Sequence, residues 1–172
     1  MDRVTQRAED LDGFRQRLLR AFPPHPFRGV VSTHDECDDG IYLRRELPGK
    51  TWADLSPEVL FHGSIALSLL EPDALACFLP AWLLRSMQTF SDTSIVLEFT
   101  LYFLCPGNGE DGWDERRIAA LTALFAPAQK GVIGDLLRAV VADDTLEVWH
   151  PCAEFGLEWW CVSATSGGPQ PK

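Results

Sequence analysis

Prolines at the starts of predicted helices constrain the fold of this chain more than any other feature of its sequence. Ser56-Pro57-Glu58 and Glu71-Pro72-Asp73 each place a polar residue before a proline. Pro127 and Pro151 open two further segments that are rich in apolar residues. Proline is favoured in the first helical turn, because its missing N–H needs no partner there and its φ angle is already helical. The helices predicted from these prolines are 57–70, 72–87, one from 127 and a last one from 150.

The N-terminal segment has the period of an amphipathic helix. Apolar residues recur at steps of three and four over 3–22, which places them in one stripe on a helix surface. The Pro23-Pro24 pair ends this helix. Residues 23–50 show no clean period, and Asp38-Asp39-Gly40 and Pro48-Gly49 are turn signals. This Pro-rich and acidic stretch is therefore predicted to be irregular.

The apolar run at 95–104 is ambiguous. It is rich in β-branched and aromatic residues, so it fits a strand, yet a fully buried helix would have the same composition. A short helix is predicted over 116–125. The complete pattern predicts an all-α fold, with about six helices in a single compact domain over 1–165. The remaining residues, 166–172, are predicted to form a flexible tail.

The charge balance narrows the class of partner. Fifteen Lys and Arg residues stand against 25 Asp and Glu residues, which gives a formal net charge of −10. A surface this acidic repels nucleic acid and anionic membranes and attracts basic proteins. The alternative explanation is that the charge serves solubility alone.

The number and spacing of the cysteines and the hydropathy of the chain indicate the cellular compartment of the protein. The five cysteines are odd in number and none forms a C-x-x-C pair, which is typical of a reducing compartment. The N-terminus lacks the apolar stretch of a signal peptide, and no run of about 18 apolar residues is present. The sequence therefore predicts a cytoplasmic protein that does not span a membrane.

Residues 34–40 form the chain's densest group of polar side chains, His34-Asp35-Glu36-Cys37-Asp38-Asp39-Gly40. His34 and Cys37 are candidate metal ligands, with His25 as a further possibility. A structural zinc site uses four ligands in two tight pairs, and a calcium loop needs a glycine and a distal glutamate that are misplaced here. We therefore predict that these residues cap and turn the chain, with no metal and no cofactor. A metal-dependent enzyme or metal sensor centred on His34 and Cys37 is the alternative hypothesis.

Two further observations bear on catalysis and on binding. The chain has no G-x-S-x-G nucleophile motif and no phosphate-binding glycine loop, so a binding protein is favoured over an enzyme. A second acidic segment, 107–115, carries Trp113. An exposed tryptophan in such a segment is a good interface anchor, although it could equally fold back and fix its own loop.

Several short segments, taken in order, resemble a known family. They include an H-x-x-C loop at 34–37, a G-K-x-W segment at 49–52 and an aromatic-L-P-A-aromatic-L-L run at 78–84. In these motifs the chain resembles a family of small uncharacterised bacterial proteins, classed as a domain of unknown function. The resemblance implies a mainly α-helical fold, with 95–104 helical, and implies no activity. The chain departs from the family pattern after Cys37, where Asp38-Asp39 weakens a site with two thiols.

The combined pattern predicts a non-enzymatic binding protein that neutralises a basic partner. A bacterial immunity or inhibitor protein acting on a toxin has these traits, because nuclease toxins are often basic. An adaptor or structural module without a fixed ligand is a further alternative. The predicted partner-binding residues are Asp35, Glu36, Asp38, Asp39, Glu110, Asp111, Trp113, Asp114 and Glu115.

Overall fold

The computed structural model describes residues 3–91, 93–105 and 115–161. Within these ranges the chain forms eight α-helices and three short 3-10 helices, with no β-strand. The 3-10 helices are Trp52–Asp54, Ser64–Leu69 and Asp144–Trp149. The α-helices are α1 (Arg3–Ala21), α2 (Asp38–Glu46), α3 (Pro57–Gly63), α4 (Pro72–Gln88), α5 (Ile95–Leu104), α6 (Glu115–Ala123), α7 (Pro127–Ala142) and α8 (His150–Trp160).

The all-α prediction is confirmed for the described residues, but the predicted number of helices is too low. Residues 38–46 are helical, although 23–50 was predicted to be irregular. The Asp38-Asp39-Gly40 run begins a helix here because acidic residues are favoured in a first turn, where they face the positive end of the helix dipole. The predicted helix over 57–70 is in fact α3 followed by a 3-10 helix. The predicted tail at 166–172 lies outside the described residues.

The ambiguous run at 95–104 forms the buried helix α5. Ser94 caps it, since its hydroxyl accepts the backbone N–H of Leu97 at 3.3 Å. Thr100 lies fully buried inside the helix and donates its hydroxyl to the carbonyl of Val96 at 2.6 Å. This bond lets a polar side chain enter the core without an unsatisfied group. Helix α5 packs against α4, which explains why its sequence lacks a polar stripe.

Helix α4 is the centre of the fold. Its residues Phe78, Leu79, Trp82 and Leu83 are fully buried, and it packs against α1, α3, α5 and α7. Helix α7 packs in turn against α8. One connected apolar core includes residues from Phe14 in α1 to Trp160 in α8. No helix in the described ranges is long and apolar enough to cross a membrane.

Three buried tryptophans tie helix ends to the core. In each case the indole N–H donates to a backbone carbonyl near the end of a helix, so a large apolar ring is buried without losing its hydrogen bond. These bonds also satisfy carbonyls that a helix terminus leaves without partners. The three bonds are Trp52 to Phe22 at 2.8 Å, Trp82 to Leu60 at 3.0 Å and Trp160 to Leu104 at 2.7 Å.

Candidate partner-binding surface

The segment before α2 is fixed to the start of α4 by two hydrogen bonds. The backbone N–H of Glu71 donates to the carbonyl of Val31 at 2.9 Å. The hydroxyl of Thr33 donates to the carboxylate of Glu71 at 2.7 Å. Val31 and Ser32 are buried, whereas His34 and the residues that follow it are largely exposed. The acidic residues are thus presented from a segment that is held in place at its base.

The thiol of Cys37 caps α2. It accepts the backbone N–H of Gly40 at 3.3 Å, while the Cys37 carbonyl accepts the N–H of Ile41 at 3.0 Å. The carbonyl of His34 lies against the same first turn, so closely that a Cβ on Gly40 would overlap it. Only glycine fits at this point without moving the loop. The predicted capping role of this segment is therefore seen directly in the structure.

The geometry of the loop does not assemble a metal site. Cys37 directs its sulfur to a backbone N–H of its own helix, and the His34 side chain is exposed. Among the described residues, no group of three or more His, Cys, Asp or Glu side chains is arranged to hold a metal ion. The hypothesis of a metal centre at these two residues therefore gains no support from the described part of the chain.

Four carboxylates are exposed at the start of α2, and we call them the acidic cluster: Asp35, Glu36, Asp38 and Asp39. None of them forms a hydrogen bond or ion pair with any residue that the structure describes. Asp38 and Asp39 also stabilise the first turn of α2 through the helix dipole. Four negative charges without neutralising cations leave this end of the helix strongly electronegative.

Three aromatic rings form a row across α2 and α3, and the first of them, Tyr42, lies one helical turn after Asp38 and Asp39. We call Tyr42, His62 and Phe61 the aromatic row. The centroids of Tyr42 and His62 are 5.7 Å apart, and those of His62 and Phe61 are 5.3 Å apart, in edge-to-face contacts. Phe61 is 47% exposed and Ile41, beside Tyr42 in the chain, is 46% exposed. The acidic cluster is thus followed by apolar surface that water still reaches.

Further carboxylates lie close to the aromatic row. Burial, and then the nearby carboxylates of Glu46 and Glu58, raise the pKa of the Tyr42 hydroxyl. The guanidinium of Arg45 lies 5.3 Å from the centre of the Tyr42 ring. Arg45 and Lys50 donate hydrogen bonds to Glu46 at 2.9 and 3.4 Å and lower the pKa of that carboxyl. Glu46 is therefore neutralised locally, in contrast to the acidic cluster.

The aromatic row leads into a cleft of about 470 Å³, which Phe61 also lines. Arg85 and Gln88 from the end of α4 contribute to its wall, together with Ser94 and Ile95 at the start of α5. A depression next to an exposed aromatic ring can receive a side chain from a partner, as interface anchors require. The acidic cluster, the aromatic row and this cleft together form what we call the acidic–aromatic surface.

The structure bears on only part of the predicted site. Asp35, Glu36, Asp38 and Asp39 are exposed, and Glu115 is the first residue of α6. Their role in binding a partner stays a prediction. Sequence reasoning missed the aromatic row, whose members come from helices about twenty residues apart. The predicted contacts that lie outside the described residues are Glu110, Asp111, Trp113 and Asp114.

Comparison of the chain with protein-family models, with curated proteins and with solved structures finds no match in any of the three. The resemblance to a family of small bacterial proteins therefore stays a prediction.

Proposed function

We propose that this chain is a non-enzymatic binding protein that holds a basic protein partner on its acidic–aromatic surface. The observation that supports the proposal best is the acidic cluster, whose four exposed carboxylates have no partner among the described residues. Carboxylates that already neutralise arginines of their own chain would have to exchange partners on binding. Those of the acidic cluster are available to the lysines and arginines of another protein.

The aromatic row adds exposed apolar surface, which contributes more to binding affinity than exposed charges do. Charged pairs at an exposed rim contribute modestly to affinity, whereas buried aromatic anchors contribute most of it. Phe61 and Ile41 are each nearly half exposed, so a partner that covered them would remove apolar surface from water. The acidic cluster would then attract and orient the partner, and the aromatic row would hold it.

The proposed partner class follows from the charge of the whole chain. A net charge of −10 disfavours nucleic acid and anionic membranes and favours a basic protein. A nuclease toxin is such a protein, because its active site is built to receive phosphate. Carboxylates at the start of α2 can occupy a site of that kind and exclude the nucleic acid. We therefore propose an inhibitor, of the bacterial immunity type, as the specific role.

The experiment is a titration with a defined partner, the basic product of a gene adjacent to this one. Affinity is measured by calorimetry at low salt and at 0.5 M NaCl. The test variant combines Asp35→Asn, Glu36→Gln, Asp38→Asn and Asp39→Asn, which changes the net charge from −10 to −6. We expect at least a tenfold loss of affinity, because four charge pairs are lost together. Salt should weaken the wild-type complex and affect the variant much less.

A matched control separates the site from general electrostatics. It replaces four exposed acidic residues of α1, α8 and the segment before α8 by their amides, which gives the same charge of −6, and it should bind almost as tightly as the wild type. Equal losses in the two variants would show that only the overall charge matters. A Phe61→Ala variant should also bind more weakly, and unchanged affinity would exclude the aromatic row from the interface. The four control residues are Asp12, Glu147, Glu154 and Glu158.

A further inference from the structure

A second surface has the opposite electrostatic character. A groove of about 340 Å³ lies between α1 and α7, and three arginines line it, Arg17, Arg20 and Arg138. A single carboxylate, that of Asp135, lies among them. Three positive charges against one negative charge give the groove a local charge of about +2 on a chain whose net charge is −10. The groove is therefore a cationic surface on an acidic protein, suited to an anionic ligand.

Asp135 holds two of the guanidinium groups in fixed positions. One of its oxygens accepts the Nε–H of Arg17 at 2.8 Å, and the other accepts an Nη2–H of Arg138 at 2.7 Å. Arg138 also donates from Nη1 to the sulfur of Cys161 at 3.1 Å. Both arginine side chains remain about half exposed, at 51% and 52%. A guanidinium has five N–H donors, so each keeps donors that no described residue accepts.

Arg20 is the third arginine of the groove. It is exposed and forms no hydrogen bond or ion pair with any residue in the described ranges. Its place in the last turn of α1 is favourable for a cation, because the helix dipole is negative there. That interaction leaves the guanidinium donors themselves free. Arg20 thus adds an unneutralised charge beside the two arginines that Asp135 orients.

The other residues that line the groove are small or apolar. They are Ala21 of α1 and Ala128, Gly131 and Val132 of α7. A Cβ added to Gly131 would meet no atom within 4 Å, so the space above this glycine is open. A peptide backbone can therefore approach α7 closely at this point, while its side chains reach the arginines on either side.

We propose that this groove binds a short acidic peptide segment of a partner protein, with Arg17, Arg20 and Arg138 holding its carboxylates. Arginine pairs with carboxylates through two parallel hydrogen bonds, which fits donors that are already oriented. The apolar part of the lining and the overall charge of −10 favour a short peptide over a nucleic acid, whose many phosphates an acidic protein repels. The groove shares no residue with the acidic–aromatic surface, so this inference does not depend on the function proposed above.

The test uses hexaglutamate that carries an uncharged fluorophore, titrated with the full chain at low salt and followed by anisotropy. The key variant is Arg20→Gln, because Arg20 forms no hydrogen bond or ion pair with a described residue that the substitution would disrupt. The matched control is Arg15→Gln, which removes the same charge from an exposed position of α1 outside the groove. We expect saturable binding that Arg20→Gln weakens about tenfold, as loss of a charge-assisted hydrogen bond predicts. Arg15→Gln should change the affinity less than twofold.

Three results would overturn the proposal. The first is an absence of saturable binding to hexaglutamate, and the second is an equal loss of affinity in Arg20→Gln and Arg15→Gln. The third is tighter binding of a labelled oligothymidylate than of hexaglutamate, which would assign the groove to nucleic acid. Urea unfolding of the two variants provides the check on folding. Arg15→Gln should unfold at the wild-type midpoint. Arg20→Gln should unfold at or slightly below it, because it removes a cation from the last turn of α1 but breaks no ion pair with a described residue.

Discussion

Replacing Gly40 by alanine should destabilise this protein, although the same change usually stabilises a helix. Gly40 lies in the first turn of α2 and is buried. A Cβ there would overlap the carbonyl oxygen of His34 and would lie 3.0 Å from the His34 Cβ. His34 cannot move freely away, because its N–H is bonded to the hydroxyl of Ser32 at 3.2 Å. The loop that carries the acidic cluster must therefore shift as a unit.

The size of the effect follows from two opposing terms. Inserting a methyl group into a filled space costs about 1–3 kcal/mol of unfolding free energy. The better helix propensity of alanine returns at most about 1 kcal/mol. We therefore expect Gly40→Ala to lower the free energy of unfolding by about 1–2 kcal/mol. Gly131→Ala is the control, because its Cβ meets nothing within 4 Å and it lies in the exposed interior of α7. Gly131→Ala should raise the free energy of unfolding by about 0.5–1 kcal/mol.

Urea unfolding measures both variants against the wild type. With a slope of about 2 kcal/mol per molar urea, the two midpoints should differ by about 1 M, with Gly40→Ala the lower. The slope itself should stay unchanged, because neither substitution changes the amount of surface exposed on unfolding. If Gly40→Ala unfolds at or above the midpoint of Gly131→Ala, the close packing of His34 over α2 is wrong.

Three other predictions concern the core and two titrating groups. Trp82→Phe should lower the unfolding free energy by about 1–3 kcal/mol, since it leaves the buried carbonyl of Leu60 without its indole donor. Hydrogen bonds from Thr51 depress the pKa of Asp54 below its ordinary value of 3.8, so its contribution to stability is present above that pH and is lost as pH falls through the lower, folded value. The urea midpoint of Asp54→Asn should therefore lie below the wild-type midpoint at neutral pH and approach it in acid. A hydrogen bond with Cys105 lowers the pKa of the Cys152 thiol, so removing the Cys105 side chain should move alkylation of Cys152 to higher pH.

Each of these predictions has its own control. Trp149→Phe should lower the free energy of unfolding less than Trp82→Phe does. The reason is that the half-buried indole of Trp149 donates no hydrogen bond to a described residue. A constant difference between Asp54→Asn and wild type down to pH 2 would contradict the pKa argument. For the thiols, mass spectrometry follows iodoacetamide labelling of the Cys152 peptide across pH. An identical labelling profile in Cys105→Ala would contradict the hydrogen bond between Cys105 and Cys152. Cys77→Ala is the control and should leave the profile unchanged.

The helices that the sequence predicted best are those with strong end signals. Pro57, Pro72 and Pro127 each stand at the first helical position, and α1 ends at Ala21, just before the Pro23-Pro24 pair. These signals are local, since proline acts through its own backbone geometry and not through distant packing. The confirmed all-α class of the described residues depended largely on them.

The features that sequence reasoning missed depend on context. Helix α2 begins with Asp38-Asp39-Gly40, which is also a turn pattern, and its cap is a thiol, a weaker acceptor than the usual hydroxyl. Helix α5 is buried on most sides, so it has no polar stripe to reveal its period. The aromatic row exists only because α2 packs against α3, which brings Tyr42 to His62 across twenty positions of the chain.

The two hydrogen bonds to Glu71 have a mechanical consequence. Glu71 immediately precedes α4, the helix at the centre of the core, and it also secures Val31 and Thr33. If a protein binds the loop as proposed, these two bonds connect the binding surface to the start of the central helix. Binding should slow amide hydrogen exchange in the opening turn of α4, well away from the contact itself. The loop before α2 is thus anchored to the residue that precedes the most deeply buried helix of the core.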